Sequence, residues 1–228
     1  MYKFIFKLAL TLLVSNIFYL NVHAQIAIVG DVQGRPAVTR SFTDIQGSAY
    51  LYDSWEKGKV KMMNGTIHDN MELMYDQVND ELIFKGLSNQ PQTFLHPVHE
   101  FTISKVVNNH VVEERKFRKG FSPVDGANNM ATYEVLAEGN TLLLKRTAKV
   151  VFEDLPYGSS TKVKTIRENT HYYIAVADKL VKIKNDKKSV LQVLNSKSTE
   201  IDRFIKENKI NFKDDADLSK LIAYYNTL

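Results

Sequence analysis

His96-Pro97-Val98-His99-Glu100 sets two imidazoles and a carboxylate side by side in the chain, the donor types that bind zinc. Zinc peptidase helices carry two histidines on one face with a glutamate between or beside them, and the order here matches neither form. Pro97 opposes a helix, and in an extended chain positions 96 and 99 point to opposite faces. His110 could supply a third ligand, but nothing in the spacing requires it. No metal site is expected, because two histidines alone do not make a ligand set.

Glu114-Arg115-Lys116-Phe117-Arg118-Lys119 is a basic run interrupted by an aromatic ring. As a strand it puts Arg115, Phe117 and Lys119 on one face, and Lys116 and Arg118 on the other. Basic residues interleaved with aromatics bind single-stranded nucleic acid; in an exported chain the anion would instead be a phosphorylated lipid or a surface polysaccharide. The general alternative is an edge strand whose charges discourage sheet-to-sheet pairing. Trp55, Tyr75 and Phe84 complete the set of candidate ligand-binding residues.

No residue can be nominated for catalysis. The chain has no cysteine and no G-x-S-x-G, and Gly158-Ser159-Ser160 follows Pro156 in a polar loop. Acidic residues are scattered among lysines, so no pair stands out for acid–base work. With no glycine-rich phosphate loop and no dinucleotide fingerprint, no cofactor is expected.

The elements that must position these residues follow from periodicity. Gln25 to Gly47 is poorly patterned and is expected to be a poorly ordered lead-in. From Ser48 to Lys184 apolar residues recur at period two, as in Lys59-Val60-Lys61-Met62, the mark of strands with one wet face. Asn64-Gly65 predicts a two-residue hairpin that sets Met62 opposite Ile67 and Lys61 opposite His68. Asn79-Asp80 predicts another, returning Phe84 opposite Tyr75. Tyr133, Val135 and Ala137 lead through Glu138-Gly139-Asn140 to Leu142 and Leu144. Tyr172, Ile174 and Val176 face Val181 and Ile183 across an Asp178-Lys179 turn. Pro91 and Pro97 argue for edges between Leu87 and Phe121.

Strands joined by short turns pair antiparallel, so the expectation is a meander of about eight to eleven strands, strongly curved or an open barrel. Residues 185–228 switch to helical period. Asp186 can cap a helix carrying Val190, Leu191 and Leu194, and Thr199 with Asp202 resembles a capping box. Asp214 and Asp217 open a third helix whose Leu218, Leu221, Ile222 and Tyr225 share a face. The expected fold is α+β: an antiparallel β domain over 48–184 and a helical tail over 185–228, docked on the sheet.

Trp55 falls in the polar turn Asp53–Gly58, at a corner between strands. A tryptophan there covers the end of a core and finds a partner for its indole N–H. As a stacking platform it would need other exposed aromatics on the same rim.

The chain opens MYKFIFKLALTLLVSNIFYLNVHAQ, with Lys3 and Lys7 ahead of an apolar run and small residues at Val22 and Ala24. That pattern predicts a signal peptide over 1–24 cut after Ala24, giving a periplasmic or secreted protein with no transmembrane span. No cysteine follows the cut, so a lipoprotein anchor and disulfides are both excluded. The 30 basic and 26 acidic residues give +4, and Lys3 and Lys7 contribute half of that excess. A nucleic-acid partner is therefore not expected. Lysines along several strands argue against an outer-membrane barrel.

GSAYLYDSWEKGKVKMMNGTIHDNMELMYDQVNDELIFKG, Gly47 to Gly86, resembles the opening module of a family of uncharacterised exported proteins of Gram-negative bacteria. Its parts are Gly-x-x-Tyr-Leu, an acidic-aromatic turn, Gly-x-Val, an Asn-Gly hairpin and a strand ending near Phe-Lys. The tail Lys187 to Leu228 is similar to that family's ending, a lysine-rich helix pair leading to a terminal Tyr-Tyr-Asn. The resemblance implies export and a single-unit architecture, and it carries over no catalytic residue.

The expectation for function is a non-catalytic interaction module of the cell envelope whose partner is an unidentified protein. The alternative is a carrier of an apolar or lipid-like ligand in a curled sheet, with Tyr75, Phe84, Tyr133, Leu144 and Tyr172 as its wall. A hydrolase without a recognisable motif is third.

Overall fold

The computed structural model describes residues 32–37, 45–155, 157–158, 160–177 and 179–228. The expected signal peptide lies outside them, as does much of the lead-in. Among the described residues the fold is mostly antiparallel sheet followed by helices.

The strands are β1 (Gly34–Pro36), β2 (Ile45–Gln46), β3 (Glu56–Met62), β4 (Ile67–Asp76), β5 (Glu81–Lys85) and β6 (Pro91–Phe94). There follow β7 (Val98–Val107), β8 (His110–Arg118), β9 (Tyr133–Ala137), β10 (Thr141–Asp154), β11 (Val163–Val176) and β12 (Lys179–Ile183). All twelve belong to one sheet in the order β1-β6-β5-β4-β3-β7-β8-β9-β10-β11-β12, with β2 parallel to β11. The sheet is thus larger than the sequence led us to expect, and two of its strands, β1 and β2, are short ones within 25–47.

The connection from β6 to β7 is only Leu95-His96-Pro97, yet four strand spacings separate these strands along the sheet. Spacings of ~4.8 Å would put them roughly 19 Å apart in a flat sheet. Four residue steps reach at most about 14 Å, so the sheet must curl. A second contact makes the same point: the Lys149 amide of β10 donates to the Gln77 carbonyl just beyond β4 at 3.0 Å. That approach is not a ladder, and the sheet is not closed.

Inside the curl, Val60, Leu73, Tyr75, Phe84, Phe101 and Phe117 form one buried cluster. The opposite face of β9–β11 buries Tyr133, Val135, Leu144 and Tyr173 with Phe121 and Val124 of the loop after β8. Three helices cover the remaining apolar face: α1 (Lys187–Val193), α2 (Ser198–Asn208) and α3 (Asp215–Tyr225). Leu143, Ile174 and Ile183 meet Val190, Leu194, Ile201, Leu218, Leu221 and Ile222 there.

Asp186 caps α1 by accepting from the Ser189 amide at 2.8 Å, and Asp214 caps α3 by accepting from Asp217 at 2.9 Å. The capping box at Thr199 does not form. α2 begins at Ser198 after Lys197, with no side-chain cap, because a short 3₁₀ turn (Asn195–Lys197) feeds it directly.

Three hairpin registers differ from expectation. Lys61 pairs with Ile67 and Val60 with His68, because the connection is Met63-Asn64-Gly65. Only Gly65 takes positive φ (87°), closing a turn in which its amide donates to Met62 O at 3.0 Å. Phe84 pairs with Leu73, and Tyr75 with Leu82, because the whole of Gln77–Asp80 forms the turn. The third differs as well: an Asp178-Lys179 turn would set Ile174 opposite Ile183, but Lys179 already pairs with Val176, which puts Ile174 opposite Val181 and Tyr172 opposite Ile183.

Candidate functional site

The structure brings four of the six candidate ligand-binding residues together, as packing. Tyr75 lies 5.4 Å from Phe101 edge-on and 5.3 Å from Phe117, while Phe101 and Phe117 stack at 4.9 Å. Phe84 joins the same cluster against Phe94 at 4.6 Å. Arg115 lies over the Phe117 ring at 5.6 Å and grips Glu134 with two hydrogen bonds of 2.7 and 2.6 Å. Burial weakens its hold on its proton, but the Glu134 bonds and charge outweigh that, and its pKa is raised. The gap lined by Tyr75, Arg115, Phe117 and Glu134 has no room for a water molecule. These side chains fill space rather than line it.

Of the five residues considered as a cavity wall, Tyr75 and Phe84 lie inside the curl, and Tyr133 and Leu144 belong to the loop-covered cluster. Tyr172 faces the helices and donates to Asp215 at 2.7 Å. They do not share one wall.

Trp55 stands apart, half-buried in the bend before β3. Two more cations of the basic run are paired. Lys116 and Arg118 meet Glu100 at 3.3 and 2.6 Å and Glu138 at 2.8 and 2.7 Å. Arg118 also pairs with Tyr133 of β9, so β8 is not an edge strand there. Glu100 is thereby withdrawn from the histidines flanking Pro97. His96 is exposed in the β6–β7 connection, and His99 buries its Nδ1 without a hydrogen-bond partner. Among the described residues no cluster of three or more His, Cys, Asp or Glu could hold a metal.

Lys119 differs from its neighbours in the run. It follows the last residue of β8 and enters a groove of ≈ 400 Å³ formed by the turn before β5, the β6–β7 connection and Met130. Among the described residues its ammonium has only a long contact, 3.5 Å to the carbonyl oxygen of Asp80. Burial lowers its pKa, with Asp80 and Glu81 acting in the opposite direction.

The acids of the groove are already engaged. Asp80, held at φ 54°, accepts from the Tyr75 hydroxyl at 2.8 Å and the Thr132 amide at 3.1 Å, and lies 3.8 Å from Arg146. Glu81 faces Arg35 at 3.6 Å. Sequence reasoning placed Lys119 but missed Asp80, Leu95 and Met130. They converge from separate turns, and Asn79-Asp80 gave only a turn signal.

A second feature is the hairpin arm of β10 and β11, whose ladder runs from Thr141–Val176 to Asp154–Val163. β9 pairs with β10 only up to Lys145. Beyond it Val150, Val151 and Phe152 are 43, 41 and 38 % exposed, and Arg167 lies over the Phe152 ring at 3.4 Å.

Comparisons with family models, curated proteins and solved structures found no match. No helix among the described residues is long and apolar enough to cross a membrane.

Proposed function

We propose that the chain is exported, is cut after Ala24, and acts in the periplasm or outside the cell as a non-catalytic interaction module. On this reading it belongs with the uncharacterised exported proteins that its opening module and tail resemble. The observation that carries the reading is the β10–β11 arm. Free strand edges are normally blunted by charge, proline or cover, because they invite pairing. β12 bears Lys179 and Lys182, β1 ends in Pro36, and the part of β8 not paired to β9 bears Glu113 and Glu114 next to the exposed Val111 and Val112. The outer edge of β10 past Lys149 instead presents Val150, Val151 and Phe152, with no partner strand among the described residues. A partner protein adding a strand there would gain backbone hydrogen bonds and cover those side chains.

The arm alternates its amides, so the outward Lys149 N–H implies an outward Val151 N–H as well. The test places a photo-cross-linker at Glu153 of the protein in an exporting host. A discrete cross-linked product that survives Val151→Thr and disappears in Val151→Pro, at matched melting temperatures, supports strand addition. A product equally strong in both variants, or none, overturns it. The mass of the exported chain tests the rest: residues 25–228 are expected, and an uncut chain overturns the export reading.

A further inference from the structure

Among the described residues, Lys119 is the one cation of β8 and its end without a carboxylate contact, and its surroundings are shaped. Polar and apolar groups share the groove's lining about equally, the apolar part coming from Leu82, Phe94, Leu95, Pro97, Val98 and Met130. Leu95 and Met130 stay 55 and 41 % exposed at its rim. The ≈ 400 Å³ volume lies inside the range of about 300–1,000 Å³ found for small-ligand pockets. Both acids on the wall have other partners, Asp80 within the fold and Glu81 at Arg35.

We propose that this groove is a binding site for an amphiphile with one carboxylate, its head on the Lys119 ammonium and its alkyl chain along the Leu95–Met130 wall. This is independent of the arm. It moves the lipid-like ligand from the inside of the curl, which is packed solid, to its outer mouth.

The chemistry selects the ligand. A single ammonium with free donors favours a singly charged head. A phosphate dianion would leave its second charge unmatched beside Asp80 and Glu81. A peptide would press its polar backbone against the Leu95 and Met130 side chains, which offer it no hydrogen-bond partner. An alkyl chain needs no polar partner and gains from leaving water.

The test is calorimetric titration of the protein, purified from an exporting host, with laurate below its micelle concentration and with dodecanol as the uncharged control. Saturable 1:1 binding is expected, with laurate preferred. Lys119→Met should weaken laurate about tenfold and leave dodecanol unchanged. It is not expected to unfold the protein, since burial already penalises the ammonium. Met130→Asp at the rim should weaken both ligands. Equal affinity for laurate and dodecanol, undiminished laurate binding by Lys119→Met, or no saturable binding of laurate would each overturn the proposal.

Discussion

The bidentate contact between Arg115 and Glu134 is the strongest residue-level commitment in the interior. Only 18 and 10 % of the two side chains remain exposed, so each charge depends on the other. Removing one partner of a buried pair strands the other in a medium that solvates it poorly, which costs more than the pair itself contributes. Glu134→Ala is therefore expected to destabilise the fold by about 3 kcal/mol, read as a lower urea midpoint at unchanged slope. Replacing both residues, Arg115→Met with Glu134→Leu, should recover much of that loss. A double variant as weak as the single would show that the pair matters for reasons other than charge burial. The sequence placed Arg115 and Phe117 on one face, and they share it. It could not show Glu134, because the loop between β8 and β9 carries no periodicity and so fixes no register. The same limit hid the groove. Lys119 was visible as a cation at a strand's end, but the partners that decide its surroundings come from other turns.

At the scale of elements, one side chain ties the end of the C-terminal helix to the β9–β10 turn. Asn226, at the end of α3, accepts from the Thr141 amide at 2.9 Å and donates to the Thr141 and Glu138 carbonyls at 2.8 and 3.1 Å. These groups flank the β9–β10 turn, so a single amide ties helix to hairpin. Gly139 in that turn has φ 137°, and a Cβ there would approach the Asn226 amide to 2.3 Å. Asn226→Ala leaves the Thr141 backbone unpaired and is expected to cost about 1–3 kcal/mol. Gly139→Ala should destabilise as well. Combined, they should fall short of additive, because both break the same clasp. Full additivity in chemical denaturation would sink that account. The terminal Tyr-Tyr-Asn was visible in the sequence as a family-like ending, and its physical role was not, since a hydrogen bond to a distant turn leaves no local pattern. Periodicity did locate most of the strands between Ser48 and Lys184 and the α1 and α3 caps, but not the β11–β12 register, where Lys179 joined the strand instead of the turn. It failed by one residue at Met62, where Met63 entered the turn, and by two at Phe84, where the turn took four residues. Turn length sets register, and Asn-Gly alone does not fix turn length.

For the molecule as a whole, the decisive feature is that its clusters share strands. Ala137 and Leu143 belong to the helix-covered core, while Val135 and Leu144 on the same two strands belong to the loop-covered one. Phe117, inside the curl, pairs with Glu134 of β9. β9 and β10 thus connect all three, and no cluster can loosen without disturbing a strand the others use. The helices cannot persist alone either, with lengths of 7, 11 and 11 residues, below the ~12–15 at which isolated helices become even marginal in water. Unfolding should be one cooperative transition. The chain supplies its own reporter, because Trp55 is the sole tryptophan and lies just before β3, far in sequence from the helices. Leu221→Ala hollows the helix-covered core, where Leu221 is fully buried, and should cost about 2–5 kcal/mol. If the clusters are coupled as their shared strands require, Trp55 fluorescence and helical circular dichroism will shift to the same lower denaturant midpoint. A fluorescence midpoint that stays at the native value while the helical signal moves would mean that the tail unfolds by itself. β9 and β10 would then join the clusters in space without joining them in free energy.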